Sequence, residues 1–242
     1  MLKRRNIAGI SCFVFPDLER NPHFTHAITG RQLSADTAEN ETANLKLLER
    51  LGIPGDRLVL LHQVHGAETV VLGDGQSAFR PGERPEADGV IMTAPGLFGA
   101  IRTADCVPVI AQLPDRHSVG VFHAGWRGAC SRIVERGLRR LLEVTDADPS
   151  ELVVAIGPSI RRCCYEVGED VREAFLKAGH SREIFDGRFL DLPGAICLQA
   201  RAVGAGIILD SGMCSACRND LFYSYRKEKT PLRTWTVAGY GG

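Results

Sequence analysis

Two histidines and a cysteine stand at places where a side chain could do chemistry: His65 in "HQVHG", Cys106 in "TADC" and His123 in "HAGWRG". Each precedes or enters a turn of small residues after an apolar run, so its side chain can project from a sheet edge without being covered. Structural zinc sites favour short pairs such as C-x-x-C, because a closed four-ligand knot is made from local loops. Separations of 41 and 17 residues suggest instead a site assembled from distant strands. Such a site commonly offers three protein ligands and an open fourth position for water or substrate. Taken singly, a histidine after an apolar strand is more often a satisfied core or capping residue, and a lone cysteine a small hydrophobe. Spacing alone leaves both readings open.

Strands must deliver these residues to one place. "DRLVLLHQVHG" reads as a strand ending at Gly66. "GVIMTAPGLFGAIRTADCVPVIAQL" reads as two or three short strands broken at Pro95-Gly96 and at Thr103-Ala104-Asp105, and "SVGVFHAGWRG" as a strand entering a glycine-flanked turn. "SADTAENETANLKLLERLGIPGD" predicts a helix with Ala43, Leu47, Leu48 and Leu51 in helical spacing, stopped at Gly52 and Pro54. "ACSRIVERGLRRLLEV" is amphipathic, with Ile133, Val134, Leu138, Leu141 and Leu142 on one side. "GEDVREAFLKAG" and "LDLPGAICLQARAVGAGI" add two helices, "ELVVAIGPSI" a buried strand, and "LFYSYRKE" with "RTWTVAGY" a closing pair of strands. Several strands follow one another with no helix between them. The expected class is therefore α+β, or mixed α/β: a single domain over residues 1–242 of mixed β-sheets flanked by helices. No G-x-G-x-x-G follows a strand and no G-x-x-x-x-G-K-[ST] occurs, which removes dinucleotide and P-loop readings.

Basic and acidic residues both number 29 among 242, so no positive excess exists to hold polyphosphate, and nucleic acid is not an expected partner. No tract of 18 apolar residues calls for a membrane, and no obligate protein partner is evident. Eight cysteines in a chain of this size fit reduced thiols in a cytoplasmic protein better than a disulfide framework. The start, "MLKRRNIAGISCFVFPDLER", has basic residues before an apolar run, but Pro16, Asp17 and Glu19 follow at once and no Ala-x-Ala site appears; it is read as a strand.

Five segments together carry a resemblance: "QVHG" (Gln63 to Gly66), "TADCVPV" (Thr103 to Val109), "HAGWRG" (His123 to Gly128), "IGPSIRRCCYEVGEDV" (Ile156 to Val171) and "FYSYRKE" (Phe222 to Glu228). In this order they resemble the YfiH family, also called the laccase-domain or multicopper polyphenol oxidoreductase family and regarded as purine nucleoside phosphorylases. The resemblance runs over residues 26 to 228. It implies a zinc held by His65, Cys106 and His123, with copper as the other candidate metal. Two segments depart from the family pattern: "QLSADTAENETANL" is shorter and lacks a glycine-rich loop, and "KTPLRT" (Lys229 to Thr234) stands where the family has "TGRM". Asn40 or Asn44 is the candidate replacement for a family asparagine.

An open zinc site can activate water for attack on C6 of adenosine or polarise an oxygen as a Lewis acid. Phosphorolysis at the ribose C1′ needs more: cations that hold phosphate in line and a proton for the departing purine. Arginine suits phosphate because its planar fork matches two oxygens. Arg127 lies four residues after His123 at an expected helix start, an anion-friendly place. Arg226 and Arg31 match family arginines. Asp105 is read as a partner orienting a histidine ligand, or as a general acid or base. Cys164 could line the pocket or be a structural thiol, and Tyr165 could stack on a purine or sit in the core. Cys214 and Cys217 in "CSAC" have metal or redox spacing, but no second C-x-x-C completes a four-ligand set, and they are read as structural.

The expected activity is a zinc-dependent purine nucleoside phosphorylase using phosphate and adenosine, inosine or methylthioadenosine, with adenosine deaminase as a second activity. One rival is copper-dependent oxidation of polyphenols, though a multicopper centre needs more histidines than the seven present. Another is a cysteine hydrolase acting on cell-wall precursors, with Cys106 as nucleophile and His123 as base. A third is a zinc-stabilised binding module with no turnover.

Overall fold

The apolar runs Val107–Leu113 and Ser118–Ala124 are buried along their whole lengths, which a strand achieves only when both faces of its sheet are covered. The computed structural model, describing residues 1–7, 9–31, 38–80 and 83–242, shows what covers them. The first half of the chain contains β1 (Lys3–Ile7), β2 (Ile10–Val14), β3 (Phe24–Thr29), α1 (Ala38–Glu49), β4 (Leu58–Leu60), β5 (Thr69–Leu72), β6 (Gly89–Met92), β7 (Phe98–Thr103), β8 (Val107–Leu113) and β9 (Ser118–Ala124). The second half contains α2 (Trp126–Cys130), α3 (Ile133–Thr145), β10 (Val153–Ile156), α4 (Glu169–Lys177), β11 (Phe185–Asp186), β12 (Phe189–Leu190), α5 (Leu192–Val203), β13 (Ile207–Asp210), α6 (Tyr225–Glu228) and β14 (Thr234–Tyr240).

Two six-stranded mixed sheets result, in the orders β1-β2-β3-β14-β7-β4 and β13-β10-β8-β9-β6-β5. Period-two alternation assigns each strand residue to a layer. Val90 and Met92 of β6 pack between the sheets with Phe13, Ile28, Ile101 and Val121. Ile91 points the other way, joining Phe122, Val109 and Val154 against Leu138 and Leu141 of α3 and Ile196 of α5. The outer face of the first sheet is covered by Leu48 of α1, which packs with Leu60, Phe98 and Trp235. Mixed α/β architecture is thus the observed fold.

Three local expectations differ from the structure. The N-terminal strand is a hairpin, β1 against β2. The strand expected to reach Gly66 stops at Leu60, because the N–H groups of Val64, His65 and Gly66 all donate to the Asp88 carboxylate at 3.2, 3.0 and 2.6 Å rather than to a neighbouring strand. "LFYSYRKE" is not a strand: Ser224 caps the helix Tyr225–Glu228 by accepting from Lys227 N–H, and only Thr234–Tyr240 pairs, lying between β3 and β7. The segment 32–37, part of the region departing from the family pattern, lies outside the described residues, as does the side chain of Asn40.

Candidate metal centre

His123 is the penultimate residue of β9, opposite Pro108 of β8, and Cys106 is the residue that leads into β8. His65 comes from the irregular segment after β4. The donor atoms of these three side chains all lie within 4.8 Å of one another, and the two imidazoles meet edge to face with centroids 4.8 Å apart. Burial is graded: His123 is buried, Cys106 half-buried and His65 exposed. Gly125, immediately after β9, makes the approach possible, since a Cβ there would stand 2.9 Å from His65 Cδ2 and 3.2 Å from the Cys106 sulfur.

Asp88, fully buried, is the residue that organises the centre. Its Oδ1 lies 2.6 Å from His123 Nδ1 and also accepts the His65 N–H. The pairing with Nδ1 turns the other ring nitrogen of His123 towards Cys106, as a metal-binding histidine requires. Burial works against charge on Asp88, but the bond to His123 and the backbone donors of Gly66 and Val64 hold its carboxyl below the usual range. Burial likewise opposes a thiolate at Cys106, yet the charge of His123, followed by hydrogen bonds from both histidines, draws the thiol down to about 6. Reciprocally, His123 is raised to about 9, against its burial, by the Cys106 charge and by Asp88. Two imidazoles and an ionisable thiol suit tetrahedral zinc with one open position, and the same nitrogen and sulfur set suits copper.

The centre opens into a cavity of about 690 Å³. Its wall carries four cationic side chains, Arg102, Arg226, Lys229 and Arg233, against one carboxylate, Asp105. Both oxygens of that carboxylate are engaged: Oδ1 accepts from the Ser215 hydroxyl at 2.6 Å and Oδ2 from the Arg226 backbone N–H at 2.7 Å. Arg226 donates through Nη1 to the Glu166 carbonyl at 2.9 Å and lies over the Tyr165 ring. The Tyr165 phenol is pushed up to about 12, by burial first and then by the Cys106 charge. Among the described residues six non-glycine positions have positive φ, and three of them line this cavity: His65 at 61°, Asp105 at 88° and Lys229 at 53°.

The structure therefore brings His65, Cys106, His123, Asp105, Tyr165 and Arg226 to one cavity and places the remaining sequence candidates elsewhere. Arg127 stacks over Trp126, with Cζ 4.5 Å from the ring centroid, outside the lining. Arg31 spends its fork on Glu228 at 2.9 and 3.0 Å and on the Asn219 carbonyl. Cys164 turns to Cys217, with sulfurs 3.4 Å apart. Sequence reading missed Asp88, Gln63, Arg102 and Tyr225, while Lys229 and Arg233 fall in the segment Lys229 to Thr234, singled out there only as a departure from the family pattern. The signal for Asp88 was an acid placed directly against the apolar run "GVIM", where burial demands partners.

Mixed sheets with a His-Cys-His cluster at the mouth of a cationic cavity define the class. A family model described as multi-copper polyphenol oxidoreductase laccase matches residues 22–239, and the chain belongs to that family, the YfiH family of the sequence resemblance. A purine nucleoside phosphorylase of Deinococcus radiodurans is 36% identical over 206 residues, covering 84% of this chain and 76% of that one. Adenosine deaminase RL5, from an unknown prokaryotic organism, is 33% identical over 76% of this chain and 75% of its own. The crystal structure of YlmD from Geobacillus stearothermophilus superposes with a TM-score of 0.81 at 26% identity, covering 92% of this chain and 93% of that one. Bacillus licheniformis YfiH shares the fold, with a TM-score of 0.88 at 24% identity over 98% of each chain.

Proposed function

We propose that this chain is a zinc-dependent purine nucleoside phosphorylase acting in the cytoplasm on adenosine, inosine or methylthioadenosine, with deamination of adenosine as a second activity. The observation that carries this reading is the coexistence, in one cavity, of a three-donor metal centre and four cations. Deamination needs only activated water. The cations have work to do when a second, anionic substrate must be held.

Zinc on His65, Cys106 and His123 would supply Lewis acidity at an open position. In phosphorolysis an oxygen of hydrogen phosphate bonds to C1′ of the ribose as the bond from C1′ to the purine nitrogen breaks, and the proton given up by the phosphate passes to the leaving base. Arg226, anchored by the Glu166 carbonyl and the Tyr165 face, holds the phosphate with Arg102, Lys229 and Arg233 around it. The rings of Tyr165 and of Tyr225, which is 51% exposed at the rim, offer faces for the purine. Asp105, with both oxygens engaged, acts by placing the start of α6 and with it Arg226, rather than by proton transfer. Arg31, Arg127 and Cys164 enter the reading as outer supports of the pocket.

The test is incubation of zinc-loaded and copper-loaded protein with adenosine, with and without phosphate, following adenine, ribose 1-phosphate and inosine. Ribose 1-phosphate should form only with phosphate and in an amount equal to adenine plus hypoxanthine, inosine should form in the absence of phosphate too, and Cys106→Ala should abolish both activities. Arg226→Ala should lower phosphorolysis by about 10²-fold, the scale for one lost transition-state donor, and deamination by less. No nucleoside turnover under any metal loading would overturn the proposal. The pairing of an acidified Cys106 with His123 also favours a cysteine hydrolase as second reading. That reading requires activity that survives a chelator and is lost on thiol alkylation.

A further inference from the structure

A second cluster of metal-ligating side chains lies next to Tyr165, which packs with Cys164 against Cys214. Cys163 and Cys164 come from the turn after β10, and Cys214 and Cys217 from the turn after β13; their four sulfurs all lie within 4.8 Å of one another. The "CSAC" pair therefore does have partners. They are two adjacent cysteines brought by the fold from fifty or more residues away, with sulfur separations of 3.7 Å for Cys163 to Cys217 and 3.4 Å for Cys164 to Cys217. A tetrahedral ion with metal to sulfur distances of about 2.3 Å sets its ligands about 3.8 Å apart along each edge. The two separations from Cys217 stand close to that spacing, and all four sulfurs lie within 4.8 Å of one another.

We propose that Cys163, Cys164, Cys214 and Cys217 form a structural zinc site, closed by four thiolates and separate from the His65, Cys106 and His123 centre.

Three features support it. The four sulfurs gather in one place, with Cys217 meeting both Cys163 and Cys164 across the two turns. The two turns are already in register, with Ser215 N–H donating to the Ser159 carbonyl at 3.0 Å and Ser159 bridging Cys214. The apolar support there is small: Ile160, Cys214 and Ala216 form a satellite cluster apart from the three larger cores. Such a region gains most from a metal staple. The consequence reaches the active cavity, because Ser215 inside the C-x-x-C loop donates to Asp105, and Tyr165, next to Cys164, underlies Arg226.

The experiment counts metal by elemental analysis and native mass spectrometry on protein purified with zinc and a reductant. Wild type should carry two zinc ions per chain, and the variants His65→Ala with Cys106→Ala and, separately, Cys163→Ser with Cys217→Ser should each retain one. X-ray absorption on the His65→Ala, Cys106→Ala protein should show four sulfurs at about 2.3 Å; this measurement decides the matter even where the Cys163→Ser, Cys217→Ser chain fails to fold. One zinc in wild type that disappears in Cys106→Ala would overturn the proposal and leave the first centre standing. So would a native mass short of four hydrogens, which would mean that the four thiols are two disulfides.

Discussion

Replacing Asp88 by asparagine tests the organisation of the first centre with almost no change in volume. Every group that touches the carboxylate can act as a donor: the N–H groups of Val64 and Gly66 on Oδ2, and the N–H of His65 and Nδ1 of His123 on Oδ1. An amide brings two N–H bonds of its own. With its nitrogen in the Oδ2 position it faces Val64 and Gly66, two backbone donors that cannot change role. With its nitrogen in the Oδ1 position it leaves the His65 N–H facing a second donor and forces His123 to accept at Nδ1, which moves the proton to Nε2 and removes that nitrogen as a ligand. The first outcome leaves buried donors unpaired, at about 1–3 kcal/mol, and lowers the melting temperature by roughly 2–4 °C for each kcal/mol. The second falls on the metal, where loss of a carboxylate behind a ligating histidine costs about 10–100-fold in affinity. The assay is zinc affinity by competition with a chromophoric chelator, alongside a thermal melt of the metal-free protein. An Asp88→Asn protein that holds zinc within about twofold of wild type and melts at the same temperature would refute the reasoning.

The other predictions concern a titrating core residue and a glycine. His26, 4% exposed, accepts the Phe15 N–H at Nε2 at 2.8 Å, and its pKa is lowered to about 4, by burial first and then by Arg5. A depressed histidine leaves stability complete above its unfolded pKa of about 6.5, and that stability is lost as pH falls towards 4, in all by about 3 kcal/mol. Urea denaturation at pH 7.5 and pH 5 should therefore show a smaller loss on acidification in His26→Gln than in wild type; equal losses would remove His26 from the account. Gly125→Ala should fold, since φ −72° and ψ 172° suit alanine, but its Cβ displaces His65 or Cys106. Metal affinity should fall on the order of tenfold to a hundredfold, and unchanged affinity would show that the approach of the three ligands has slack.

How legible the molecule is from its sequence depends on the range of the interaction that decides each feature. The helix Ile133–Thr145 and the strands around Val107–Leu113 are written in local periodicity, and the structure has them. The three metal candidates each stand among small residues beside an apolar run, but spacing alone left their role open, and it was the resemblance to the family that joined them into one set. Asp88 was not legible, because in "PEADGV" it reads as a loop acid, and only folding brings it under residues 23 and 35 positions away. The helix Tyr225–Glu228 was misread for a similar reason. Alternating "FYSY" has strand periodicity, but the Ser224 cap and the pull of Asp105 on the Arg226 N–H, across 121 residues, set a helical turn. The cationic lining is assembled likewise, with Arg102 at the end of β7 and Arg233 before β14.

The non-glycine residues with left-handed backbone show which parts of the site must exist before any metal arrives. Such conformations cost of order 1–3 kcal/mol each and persist only where surrounding bonds over-determine them. At His65 the determinant is Asp88, which takes three successive N–H groups. At Asp105 it is Ser215, the Arg226 N–H and the Ile160 N–H, the last donated to the Asp105 carbonyl. At Lys229 it is the closing bond of α6 to the Tyr225 carbonyl. None of these bonds involves a metal-binding atom of His65, Cys106 or His123. The elbow that presents His65, the turn that presents Cys106 and the helix that presents Arg226 are thus held by two carboxylates and a helix end. An ion bound by His65, Cys106 and His123 would meet donors already gathered, and its binding energy would remain available for polarising substrate instead of folding the loops.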